Sequence, residues 1–237
     1  MTTIPLLQPE HVGFPNPQQA LNEPDGLLAA GGDLSVEWLL CAYTSGIFPW
    51  FDSDDEPILW WSPAQRAILR PGAMHVSRSL RKRIRNGGFK VTFDQCFGAV
   101  VHQCSQPRAS STGTWITAAM SDAYQTLHQE GYAHSLEVWH QDQLCGGLYG
   151  VSVGHAFCGE SMFSIEKDAS KVAFYALQRQ LQAWRFTLLD CQILNPHLAS
   201  LGVEEISRAS FLSELATATS HETRRGLWQF DNPSAIF

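Results

Sequence analysis

The sequence predicts an α/β fold, a layered domain with a mixed sheet preceded by a smaller, irregular N-terminal domain. From about His134 onward, apolar residues alternate with period two through three successive segments, which marks strands. The spacing then becomes helical, returns to a short apolar run, and ends in another helical stretch. The order helix, three strands, helix, strand, helix lays helices against one sheet. Upstream, turn residues crowd Phe14-Pro15-Asn16-Pro17, Glu23-Pro24-Asp25-Gly26 and Gly31-Gly32-Asp33, which marks an irregular segment. A chain of 237 residues with 44% hydrophobic composition can bury one generous core or two modest ones. The expected division is 1–100 and 101–237, with the boundary between Phe89 and Trp115.

Each element follows from local signals. Asp33 or Ser35 caps a helix from about Val36 to Ser45, and Gly46 closes it. A Trp/Pro-rich loop runs from Phe48-Pro49-Trp50-Phe51 to Trp60-Trp61-Ser62-Pro63, followed by a short strand from Ala67 to Leu69. Ser77 to Asn86 is a helix ended by Gly87-Gly88, with Arg78, Arg81, Lys82 and Arg85 on one side. Phe89 to Phe93 is a strand, and Asp94 caps a helix reaching about His102. A polar loop from Gln106 to Gly113 precedes a helix that Thr117 opens and Gly131 closes. His134 to His140 and Leu144 to Val153 form an antiparallel hairpin around Gln141-Asp142-Gln143, and His155 to Phe163 adds a third strand. Ala169, Val172, Ala173, Ala176 and Leu177 mark a helix ending near Trp184. Thr187 to Gln192 is a buried strand, and Ser207 to Ala216 the last helix.

Net charge is −7, but its distribution is uneven. Residues 57–93 contain no Asp or Glu and hold half of the 16 basic residues: Arg66, Arg70, Arg78, Arg81, Lys82, Arg83, Arg85 and Lys90. A basic patch on an acidic protein suits a polyanion on one face and a cationic partner on another. On charge alone, a solvated helix face explains the window equally well. The six cysteines are scattered without a CxxC, which points to reduced thiols in a cytoplasmic protein. The N-terminus has neither a basic n-region nor a long apolar run, so no signal peptide is expected, and no stretch is apolar enough to span a membrane.

A set of short motifs is more specific. Phe157-Cys158-Gly159-Glu160-Ser161-Met162-Phe163-Ser164 is followed by Ala169-Ser170-Lys171. Around it stand Gly26-Leu27-Leu28-Ala29, Gly46-Ile47-Phe48-Pro49-Trp50, Trp60-Trp61-Ser62-Pro63 and Gly113-Thr114-Trp115-Ile116. His134-Ser135-Leu136-Glu137-Val138-Trp139, Gly146-Gly147-Leu148-Tyr149-Gly150 and Leu189-Asp190-Cys191-Gln192 complete the set. In this order, from about Phe14 to Leu212, the chain resembles the leucyl/phenylalanyl-tRNA–protein transferases. The resemblance implies a GNAT-like (N-acetyltransferase-like) acyltransferase domain. It implies transfer of Leu or Phe, less readily Met, from aminoacyl-tRNA to acceptor proteins with an N-terminal Lys or Arg, marking them for degradation. It places Glu160, Asp190 and Gln192 among the catalytic or substrate-orienting residues, and Trp50, Trp115, Tyr124, Phe157 and Met162 around the tRNA end and the side-chain pocket. Two departures stand out. Ala183-Trp184-Arg185-Phe186 occupies a joint where glycines are expected, and Leu177 and Leu181 replace bulkier aromatics.

The chemistry agrees with the residue types. An aminoacyl ester is already activated, so neither a metal nor another cofactor is expected. The enzyme must align a neutral amine with the ester and stabilise the charge that develops. Asp190 and Gln192, two apart on a strand, are expected on one face, with Asp190 polarising Gln192 or a water and Glu160 holding the acceptor. Trp50, Trp60 and Trp61, in a Pro-rich loop, are candidate stacking platforms for a base. Arg78, Arg81, Lys82 and Arg85 are candidate phosphate contacts. Cys191 with His197 is a weak thiol–imidazole candidate, and His128 and His134 lack companions at metal spacing. Gly146-Gly147 and Gly150 suit close backbone packing better than a phosphate loop. An acyl-coenzyme A-dependent N-acyltransferase and a non-catalytic tRNA-binding adaptor are the alternatives.

Overall fold

Strands and helices are interspersed through the computed structural model, which describes residues 4–107 and 116–232. The N-terminal part contains β1 (Leu6–Leu7), a single 3-10 turn (Pro17–Gln19), β2 (Leu27–Gly31), α1 (Val36–Thr44), β3 (Phe48–Pro49) and β4 (Leu59–Trp61). Next come β5 (Gln65–Leu69), α2 (Arg78–Asn86), β6 (Lys90–Phe93), α3 (Phe97–Ser105) and α4 (Ala118–Gln129). The remainder is β7 (Ala133–His140), β8 (Gln143–Val153), β9 (Ala156–Ser164), α5 (Ala169–Ala183), β10 (Leu188–Gln192), α6 (Pro196–Ser200), β11 (Glu204–Ser207) and α7 (Arg208–Thr219).

The mixed α/β class expected from the sequence is the one observed. β1, β2, β4 and β3 form a small four-stranded sheet, which occupies the segment expected to be irregular and the Trp/Pro-rich loop. The large sheet has seven strands in the order β11-β5-β10-β9-β8-β7-β6. Its neighbours are antiparallel except β9 and β10. One face packs against α1, α3, α4 and α7 through residues such as Leu39, Val100, Tyr124 and Phe211. The other packs against α2 and α5 through Leu80, Ile84, Val172 and Leu177. The boundary expected near residue 100 falls inside this sheet, because β6 pairs with β7 from Lys90↔Trp139 to Phe93↔Leu136. β5 is inserted still deeper, between β10 and β11.

Local chemistry explains the element ends. Ser77 and Thr117 accept the Leu80 and Met120 N–H groups at 3.2 Å each, capping α2 and α4. Asp94 does not cap α3, whose N-cap is Cys96. It has φ +54° and accepts from the backbone of Ser135 and Trp228, tying β7 to the C-terminal tail. β8 can pass under α5 because it carries glycine there. A Cβ on Gly146 would lie 2.5 Å from the Ala169 Cβ, which is the close packing expected of these glycines. At the joint before β10, Arg185 itself takes φ +63° where a glycine was expected. Trp184 and Phe186 on either side of it pack against Trp228. The six cysteines, all among the described residues, form no disulfide. No helix of the described residues is long and apolar enough to cross a membrane.

Candidate active site

Two local irregularities build the site. β9 and β10 run parallel from Leu188↔Ala156 to Asp190↔Cys158, and their pairing stops there. Beyond this point β10 bulges against β5, and Gln192 takes φ +61°, a left-handed conformation uncommon for a side-chain-bearing residue. β9 bulges against β8 at the same level, where Tyr149↔Ser161 is followed by Gly150↔Gly159, leaving Glu160 as the extra residue. Gly150 permits that bulge, since a Cβ there would overlap the Cys158 carbonyl oxygen. The two displaced side chains meet across the gap, with Gln192 Nε2 donating to Glu160 Oε1 at 3.0 Å.

Behind Gln192 lies a buried ion pair. Arg66, on β5, donates from Nε to Asp190 Oδ1 at 2.8 Å and from Nη2 to Asp190 Oδ2 at 2.7 Å, and both side chains are at most 2% exposed. The guanidinium is sandwiched by Phe48 and Phe211, 4.7 and 4.5 Å from their ring centres. Asp190 Oδ1 also accepts the Gln192 backbone N–H at 2.9 Å. Both Asp190 oxygens are thus engaged, by Arg66 and by the Gln192 backbone. Across the bulge Asp190 is bonded to Arg66 on β5, and Gln192 to Glu160 on β9. The amide is bonded by Glu160, and Asp190 fixes only the backbone that carries it.

Behind Glu160 stands a chain of hydroxyls. Tyr124 Oη donates to Glu160 Oε2 at 2.5 Å, and Tyr43 Oη on α1 lies 2.8 Å from Tyr124 Oη. Burial pushes the Glu160 carboxyl up to about 7; the Tyr124 and Tyr43 hydroxyls and Arg66 pull it down, while Asp190 adds to the rise. Burial also raises both tyrosines well above their usual range, so they remain protonated donors.

Glu160 and Gln192 form the wall shared by two cavities. The larger, about 860 Å³, is lined by Phe157, Met162, Phe174, Leu177 and Leu189 among others, with His197 at its edge. The smaller, about 180 Å³, is lined by Phe48, Pro49, Trp50, Glu160, Gln192 and Ile193. Phe157 and Met162 thus line the larger cavity, as does Leu177, whereas Leu181 is buried in the core. Trp50 rims the smaller cavity and is 41% exposed. Tyr124 is fully buried behind Glu160 and lines neither cavity. Trp60 is not a stacking platform: it is completely buried, donates to the Gly31 carbonyl, and packs against Phe14 and Trp38. Trp115 lies outside the described residues.

The basic window divides in the structure. Arg66 is inside, Arg70 pairs with Glu204 and Glu214, and Arg83 pairs with Glu166 while stacking on Phe89. Arg78, Arg81, Lys82 and Arg85 are exposed on α2, and among the described residues none of them forms an ion pair. The thiol–imidazole candidate has no geometric support. Cys191 Sγ faces the Leu189 carbonyl oxygen, burial and Asp190 push its thiol up, and burial lowers His197. Among the described residues no group of three His, Cys, Asp or Glu side chains is arranged for a metal. Tyr43 and Arg66 were the site residues not anticipated. Their only signal is a polar atom on an otherwise apolar helix face and a charge in an apolar strand.

A carboxylate–amide pair shared by two adjoining cavities suits a group-transfer enzyme, in which two substrates meet at one wall. The family model described as leucyl/phenylalanyl-tRNA protein transferase matches residues 68–216, and that for the N-terminal domain of the same family matches residues 32–64. The leucyl/phenylalanyl-tRNA–protein transferase of Chromohalobacter salexigens is 55% identical over 225 residues, covering 95% of this chain and 88% of that one. Those of Hahella chejuensis and Chromobacterium violaceum are 54% and 53% identical, covering 91% and 96% of this chain and 91% and 97% of theirs. Among solved structures, L-PGS from Bacillus licheniformis aligns with TM-score 0.40 and 12% identity over 88% of this chain and 71% of that one, too distant to carry residue correspondences. The chain belongs to the leucyl/phenylalanyl-tRNA protein transferase family, and it is an aminoacyltransferase.

Proposed function

We propose that this enzyme transfers Leu or Phe, less readily Met, from aminoacyl-tRNA to the N-terminal Lys or Arg of acceptor proteins in the cytoplasm, marking them for degradation. The reaction is direct aminolysis of the tRNA ester. One observation carries this: Glu160 and Gln192 stand between a larger, mainly apolar cavity with room for a branched or planar side chain and an aromatic-rimmed one. The aminoacyl side chain enters the larger cavity, where Met162 adapts to either shape. The terminal base stacks on Trp50, aided by Trp115, and the ester lies against Gln192. An α-amine has an unperturbed pKa of about 7.7–8.0, so a positioned acceptor suffices to present its lone pair near neutral pH. Glu160 and Gln192 are the catalytic residues in this scheme, while Asp190 and Tyr124 are positioning residues.

Labelled Phe-tRNA incubated with a peptide beginning in Arg is expected to give labelled peptide, and a peptide beginning in Glu is not. Transfer that required acyl-coenzyme A, or RNA binding without transfer, would overturn the proposal. The exposed cations on α2 would hold acceptor-stem phosphates. Replacing Arg81 and Arg85 by Ala should weaken tRNA binding and make the plot of log affinity against log salt shallower by about 1 per charge removed. An unchanged slope would remove α2 from the tRNA interface.

A further inference from the structure

An amide side chain has a donor end and an acceptor end, and the end facing the cleft decides what Gln192 can do to an amine. Gln192 Nε2 is turned to Glu160 Oε1, which leaves the carbonyl oxygen as the end available to the cleft. That choice is forced only while Glu160 is ionised, because a carboxylate accepts and does not donate. Its other oxygen takes the Tyr124 hydroxyl, which is itself in contact with the Tyr43 hydroxyl. The groups that bear on Glu160 are Tyr43 from α1, Tyr124 from α4, Arg66 from β5, Asp190 and Gln192 from β10, and Cys158 from its own strand, with Tyr149 of β8 against Tyr124.

We propose that Tyr43 and Tyr124 are positioning residues that hold Glu160 as an acceptor-only carboxylate, and that this locks the Gln192 carbonyl toward the attacking amine. The proposal rests on the function proposed above and deepens it. The amine nitrogen forms a C–N bond to the ester carbonyl carbon as the bond from that carbon to the ribose oxygen breaks. The displaced amine proton ends on the ribose oxygen, and Gln192 accepts an N–H bond throughout without taking a proton. When Glu160 is protonated on Oε1, it donates to the amide carbonyl. The amide then turns its NH₂ to the cleft, where it opposes the amine N–H groups. The carboxyl is protonated below its pKa of about 7, so transfer falls as pH falls through that value, in addition to the loss from the amine's own protonation.

Two measurements test this on the full-length enzyme. Glu160 is titrated by its infrared carboxyl band, as the difference between wild type and Glu160→Gln. Single-turnover transfer from Phe-tRNA to an Arg-initiated peptide is measured at pH 7 and pH 8.5. Tyr124→Phe removes a donor to the carboxylate, so the Glu160 pKa should rise. For a rise of about one unit, the loss in rate at pH 7 should exceed that at pH 8.5 by about fourfold, because the peptide amine titrates identically in both proteins. Tyr43→Phe should act in the same direction with a smaller shift, and it carries the test if Tyr124→Phe fails to fold. An unmoved infrared titration with equal losses at both pH values overturns the proposal. If wild type transfers nothing at any pH, the functional assignment fails instead, while the infrared titration still decides whether the tyrosines hold the carboxylate.

Discussion

Arg66→Met should lower stability by about 3–5 kcal/mol, because it strands the Asp190 carboxylate in the interior without a counter-charge. For a chain of 237 residues this corresponds to a fall in melting temperature of roughly 6–20 °C. The size follows from the geometry. Asp190 is fully buried, and both its oxygens are engaged by the guanidinium. Water has no access to compensate. The double variant Arg66→Met/Asp190→Leu should recover most of the lost stability, since a well-packed apolar pair of similar volume often matches a buried ion pair. It should not recover transfer, because the acceptor that fixes the Gln192 backbone N–H is gone. Calorimetry and the transfer assay on the same samples separate the two effects. A double variant that transfers at the wild-type rate would make the ion pair purely structural.

Gln192→Gly should cut kcat/KM for transfer by about 10²–10³-fold while leaving stability within about 1 kcal/mol of wild type. Two opposing backbone effects set the second number. Glycine relieves the left-handed φ of +61° that Gln192 now adopts, but it also gives the unfolded chain more freedom. A side chain held in such a conformation at the junction of two cavities serves something other than folding. If the glycine variant melted at the wild-type temperature and still transferred at full rate, Gln192 would have no part in the reaction.

Most of the architecture was legible in the sequence because it is local. The β7–β8 hairpin announces itself by alternation around a polar turn, and α2 and α4 by capping residues at their first turns. The short strands β1, β2, β3, β4 and β11 left no such trace. Leu6–Leu7 is a strand only because Ala30 and Gly31 lie beside it, and β11 only because β5 does. The site was half legible. Motif resemblance picked out Glu160 and Gln192, but the two bulges that turn them toward each other each hold one extra residue, which period-two counting cannot register. Composition likewise placed Arg66 with the surface cations of its window, because its carboxylate partner stands 124 residues away. Trp60 misled for the opposite reason: the proline-rich run around it folds into two strands of a sheet, which buries the ring.

The insertion of β5 between β10 and β11 has a consequence for biosynthesis. Arg66 leaves the ribosome 124 residues ahead of Asp190. At about 5–20 residues per second, that interval lasts roughly 6–25 s. Throughout it the strand has both hydrogen-bonding edges open, and its arginine has no anionic neighbour. The nascent chain can mature the β7–β8 hairpin meanwhile, but the centre of the sheet closes only when β10 and β11 have been made. Until then the unpaired strand edges stay exposed on the growing chain, and the wall of Glu160 and Gln192 cannot exist before β10 is made.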